Sequence, residues 1–142
     1  MRRKLILLFA AAFLLLVGFV VLKLTVPFSY AQAELRQPAL EFVSGLQDGD
    51  TISPVECAAR YLYFNSDYHA ETPSRIEIMT KELTGDRVRV RLYDPSCHDD
   101  SIHSSIHRIY LERSHNKNWI PYRHEWSHTG RGRFGWTTQP TN

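Results

Sequence analysis

His124-Glu125-Trp126-Ser127-His128 has the H-E-x-x-H form. On a helix that spacing puts two imidazoles on one face to hold zinc, with the Glu as general base. The surrounding pattern argues for a different local structure. Ile120, Tyr122, His124, Trp126 and His128 alternate with other residues as on a strand. An extended chain leaves His124 and His128 on one side but roughly 13 Å apart, at about 3.3 Å per residue. Glu125 then faces the opposite side, where it cannot serve as base for a metal on the histidine face. The extended zinc-protease form also needs Gly at 131 and His at 134, where this chain has Arg131 and Phe134. Only 14 residues follow His128, too few for a third ligand and a substrate cleft downstream. The string is therefore expected to lie on a histidine-bearing strand, and a zinc-dependent hydrolase is kept as a remote alternative.

Other groups are weighed the same way. Cys97-His98-Asp99-Asp100 with His103 offers soft and hard metal ligands. Asp94-Pro95-Ser96 just before it has turn chemistry, so a solvated loop is expected and no metal or cofactor is assigned. Cys57 and His98 as a nucleophile pair is weaker, since nothing places them together. Two cysteines in an oxidising compartment suggest instead a Cys57–Cys97 disulfide closing a loop of some 40 residues. Such a loop is worth about 4 kcal/mol in the chain-entropy account. Arg87, Arg89 and Arg91 share one face of a strand whose other face is Val88, Val90 and Leu92. They form either a solvated row paired with Glu77 and Glu82 across a hairpin or a docking edge for an acidic partner.

The elements that would position these residues follow from periodicity. Leu5–Leu22 is an uncharged apolar run of 18 residues, about 27 Å long as a helix, against a hydrocarbon layer of about 30 Å. Arg2, Arg3 and Lys4 precede it and Lys23 follows, so the positive-inside rule keeps the N-terminus in the cytoplasm. Ala31-Gln32-Ala33 has the form of a signal-peptidase site, but the run exceeds the usual length of about 7–15 residues. An uncleaved anchor is the expectation. Ala31 to Leu46 shows helical spacing, with Pro38 marking either a kink or the helix start. Ser53-Pro54-Val55-Glu56 reads as an N-cap, a first-turn Pro and a capping-box Glu for a helix through Phe64. Period-two stretches then follow at 75–79, 87–93, 102–113 and 119–128, with turns at 84–86 and 115–118. Along 102–113, Ile102, Ser104, Ile106, Arg108 and Tyr110 read as one face, with Ile109 and Leu111 confusing the phase.

Helices first and strands after define an α+β domain: a transmembrane helix, then one or two helices packed on a four-stranded antiparallel meander. That order, and Leu40 to Asp50 as an apolar helix running into a Gly-Asp turn, resemble the cystatin-like or nuclear-transport-factor-like roll of many small bacterial envelope proteins. Gly130 to Trp136 is similar to the ending of some uncharacterised membrane-anchored bacterial proteins. The resemblance implies a fold and no particular activity, because such rolls host enzymes, ligand pockets and assembly modules alike.

The division expected is an anchor at 1–27, an extracytoplasmic domain at 28–128 and a flexible Gly/Arg-containing tail at 129–142. Without the four cations around the apolar run, 13 Lys and Arg stand against 15 Asp and Glu, a formal charge of −2. Nucleic acid is accordingly set aside as a partner. The expected protein is a non-enzymatic, single-pass component of the inner membrane with its domain in the periplasm, acting in protein–protein interaction or envelope assembly. The alternative is a roll enclosing a small ligand or lipid, with Tyr61, Tyr63, Phe64, Tyr68, Tyr93 and Tyr110 lining its cavity. A reporter active only outside the cytoplasm and fused after Asn142 should be active. Intact mass of the membrane-bound protein should retain the residues before Glu34.

Overall fold

The computed structural model describes residues 2–25, 27, 29–46, 51–65, 76–95, 102–130 and 135–138. The apolar run forms helix α1, Arg2–Thr25. Its Ile6–Leu24 stretch of 19 residues is long and apolar enough to cross a membrane, a property that signal sequences share. Ile6, Leu7, Phe9, Phe13 and Leu15 lie exposed along it. The protein itself gives this helix no apolar cover there.

Ala31–Ala33 is a short strand, β1, and not the start of a helix. Helix α2 begins only at Gln37 and runs to Gly45, with Pro38 in its first turn. Pro is suited to that position because its missing N–H has no helical partner there. Helix α3, Pro54–Asn65, is capped as its sequence implies: Ser53 Oγ accepts the Glu56 backbone N–H at 3.1 Å. Glu56 and Arg60 pair one turn apart at 2.8 Å, and the Phe42 and Phe64 rings stack at 4.5 Å to join the two helices.

The strands are β2 (Glu77–Thr84), β3 (Arg87–Asp94), β4 (Ile102–Arg113) and β5 (Trp119–Gly130). They form one antiparallel sheet in the order β1-β5-β4-β3-β2. The fold is α+β with five strands, one more than expected, because β1 pairs with His124–Trp126 of β5. Three residues of no alternation carry no strand signal of their own. Two parts of the stretch expected as a tail are placed in the fold. Thr129 and Gly130 end β5, and Thr137 bridges back to His128, with Trp136 buried beside it.

Helices α2 and α3 lie over β3, β4 and β5. Between them and the sheet is one core of Ala39, Val43, Cys57, Ala58, Tyr61, Leu62, Val90, Leu92, Ile109, Leu111 and Trp119. On β4 the row facing the helices is therefore the one holding Ile109 and Leu111, and Arg108 and Tyr110 fall on the other face with the buried Ile106. Ile109→Ala removes a side chain with no exposure and should cost about 2–5 kcal/mol. Ile120→Ala, at 36% exposure, should change the unfolding free energy far less in the same denaturant titration.

Candidate functional site

Register sorts the polar residues onto two faces. His124 is opposite Ile109, Trp126 opposite His107, and His128 opposite Ser105. These six side chains share the helix-facing side. Glu125, opposite Arg108, is on the other. The H-E-x-x-H string is thus on a strand, with its Glu turned away from its histidines.

On the helix-facing side His107 Nδ1 and His124 Nε2 are 3.0 Å apart, a hydrogen bond in which one neutral ring donates and the other accepts. The Tyr61 ring meets His124 edge-on at 5.7 Å, and Trp126 stacks on His128 at 5.0 Å. Burial disfavours the imidazolium form. It pushes His107 down to about 3, helped by His124 and His128 nearby, and His124 down to about 4. Among the described residues, no three His, Cys, Asp or Glu side chains gather closely enough to hold a metal ion. His98 and the rest of 97–100 lie outside the described residues, as does Cys97 and with it the expected disulfide. Cys57 is buried, and its thiol donates to the Trp119 carbonyl at 3.4 Å. Desolvation raises that thiol to about 12, which leaves almost no thiolate to react at neutral pH.

The opposite face gathers cations. Glu125 is held there by Tyr110 Oη at 2.8 Å and by Arg123, with Arg108 further off at 3.8 Å. The three arginines singled out by their alternation separate into two environments. Arg87 pairs with Glu112 at 3.1 Å and lies over Tyr122. Arg89 and Arg91 stand opposite Lys81 and Met79, and no carboxylate pairs with either among the described residues. The expected pairing with Glu82 does not form, because Glu82 is opposite Val88 on the helix-facing side. With Arg108, they line a cavity of about 480 Å³ closed by Pro27, Tyr30, Met79, Thr80 and Lys81. Arg108 lies 3.5 Å from the Tyr30 ring centroid, a close cation–π contact. Sequence reasoning missed Arg108 and Tyr30. Only the strand register and the return of the chain after α1 bring them to Arg89 and Arg91.

The aromatics expected around a single cavity are dispersed. Tyr61 is buried under the helices and Tyr63 is exposed. Tyr110 and Tyr93 are opposite Arg123 and Glu77 on the cation-rich face, and Tyr68 lies outside the described residues. No protein-family model, curated protein or solved structure matches the chain.

The buried imidazoles make stability depend on pH in a stated direction. Each is neutral in the folded protein and titrates near its ordinary value of 6.5 when unfolded. Their contribution is therefore complete above about 6.5 and is lost as the pH falls toward the folded values. The melting temperature should drop between about pH 6.5 and 4. The slope should be shallower in His107→Gln and His124→Gln, with thermal unfolding across that window as the measurement.

Proposed function

We propose that the protein is a non-enzymatic, single-pass envelope component anchored in the inner membrane, and that its periplasmic domain assembles with a second copy of itself along strand β2. The anchored topology is supported by α1 and by the cations before it. The cystatin-like or nuclear-transport-factor-like reading is supported by the order of α2 and α3 before the meander β2–β5. The non-enzymatic reading draws on Glu125, which is engaged by Arg123 and Tyr110 on the face away from His124 and His128.

The observation that carries the proposal is the uncovered state of β2. All eight of its residues are exposed, and its outer edge is unpaired among the described residues. Ile76, Ile78, Met79 and Leu83 show apolar surface there. An edge strand offers a row of backbone donors and acceptors to any extended chain. A central Lys normally blunts such an edge, and Lys81 sits in the middle of this one.

A second β2 offsets that charge. When two copies pair antiparallel with Met79 on the two-fold axis, Glu77 of each faces Lys81 of the other and Ile78 faces Thr80. Slipping the register by one residue in one direction sets Glu77 against Glu82, and like charges directly opposite are destabilising. In the register centred on Met79 the edge is self-complementary, as an isologous interface requires.

The full chain in mild detergent should be a dimer by light scattering. Glu77→Lys and Lys81→Glu should each shift it toward monomer, and the doubly exchanged chain should restore the dimer. A parent chain that is monomeric, or single variants that leave the dimer intact, would sink the proposal. So would Met79→Cys if it cross-linked to a different protein of fixed mass, which would assign the edge to that partner instead.

A further inference from the structure

We propose that the cavity between Arg89, Arg91 and Arg108 is a binding site for the phosphate of an anionic lipid headgroup, placed at the membrane surface by the end of α1. Three guanidinium groups converge on one concavity of about 480 Å³. Glu125, 3.8 Å from Arg108, is already bound more closely by Arg123 and Tyr110. Arg89 Nε and Arg108 Nε are buried and donate to no acceptor in the protein. A buried donor without a partner is costly. Phosphate oxygens are the acceptors that guanidinium forks suit best, through paired and charge-assisted hydrogen bonds. Arg91 now points one donor at the Met79 sulfur, 3.2 Å away, a weak acceptor that a phosphate oxygen readily replaces.

Position decides between a lipid and a free phosphate. Pro27 lines the cavity and is two residues beyond Thr25, the last residue of α1. Two residues span at most about 7 Å, and each headgroup layer is about 5–7 Å deep. The end of α1 is also packed against the domain. Gly135 has a φ of +72°, and a Cβ there would stand 2.5 Å from the Lys23 carbonyl oxygen. Trp136 next to it is buried, 6.0 Å from the Tyr93 ring on the same face as the arginines. The chain leaving α1 passes through Tyr30, whose ring Arg108 covers. A cation cluster that close to the end of α1 lies within reach of phospholipid phosphates.

The inference rests on α1 remaining attached. It does not require pairing through β2, although Met79, Thr80 and Lys81 of that strand also line the cavity, and the variants below leave Glu77 and Lys81 unchanged. The full chain would be reconstituted into nanodiscs of phosphatidylcholine with phosphatidylglycerol, extracted gently and weighed intact. The same spectrum shows whether the anchor is present, so a cleaved chain is told apart from an intact chain that binds no lipid. Phosphatidylglycerol should stay bound in preference to phosphatidylcholine. A basic side chain near an anionic surface is worth about fivefold in affinity. Arg91→Gln should weaken retention by about that factor, and Arg89→Gln with Arg91→Gln by about 25-fold. Arg91→Lys should retain most of it. Arg87→Gln, on the same strand face but paired with Glu112, should change nothing, and melting curves will show that each variant is folded. Equal retention of both lipids, or equal losses for Arg87→Gln and Arg91→Gln, would overturn the assignment. Displacement of the lipid by equimolar glycerol phosphate or inorganic phosphate would also overturn it and give the cavity to a free phosphate.

Discussion

Val90, Ile109 and Leu111 lie in one core with Cys57 and Tyr61 of α3, and that contact decides on which side of the sheet every other strand residue emerges. Side chains alternate without exception along a regular strand, so burying one row commits the next row to the opposite face. The hydrogen-bonded register then carries the choice sideways. Val90 is opposite Ile109, and Ile109 opposite His124. Burying Ile109 therefore obliges His124 to enter the same layer and Glu125 to leave it. A register shift between Tyr110 and Leu111, where β5 supplies Arg123 and Pro121 as their respective partners, lets Trp119 rejoin the buried side. One apolar contact thus separates the imidazole row from the carboxylate that would have made it resemble a zinc protease.

The two faces solve the problem of buried polarity differently. Under the helices, His107 and His124 share one hydrogen bond as neutral rings, which carries no net charge into a poorly solvated layer, and His124 Nδ1 is left there without an acceptor or donor. Across the sheet, charge is retained and shared. Tyr110 and Arg123 hold Glu125 closely, while Arg108, 3.8 Å from it, covers the Tyr30 ring and lines the cavity. A guanidinium tolerates such a setting because its charge is delocalised and weakly hydrated, and it stacks on aromatic faces. The arginine cluster is thereby stable without a carboxylate for each cation. That is the condition for a site that accepts an anion from outside.

Much of the frame was legible in the sequence, for reasons that locate the failures as well. Helix α1 could be read from an uncharged run, α3 from its Ser53 and Glu56 cap, and β3 from the strict alternation of Arg and Val. Each of those signals is local. Strand β1 was not legible, because Ala31-Gln32-Ala33 is extended only through its partners on β5. Which face of β4 the helices cover was not legible for a related reason. Ile102 and Ile106 on one phase compete with Ile109 and Leu111 on the other, and α3 overhead places the second pair in the main core while Ile106 is buried on the opposite face. Arg89 and Arg91 were visible as a pair. Arg108 and Tyr30 come from an adjacent strand and from the segment after α1, so the cavity they complete is a property of register and not of any stretch of sequence.

The same sorting explains how a domain with a formal charge of −2 presents a cationic cavity. Net charge is a sum over the whole chain, whereas a strand divides its residues by parity. Arg87, Arg89 and Arg91 occupy one parity of β3, and register sets Lys81, Arg108 and Tyr110 beside them. The acidic residues are distributed otherwise. Glu82 is on the helix-facing side, Glu77 is opposite Tyr93 at the end of β2, Glu112 is paired with Arg87, and Glu125 is held by Arg123. What remains is a local field near Tyr30, which dissolved salt screens beyond about 8–10 Å. A cluster of that extent matches a single headgroup phosphate.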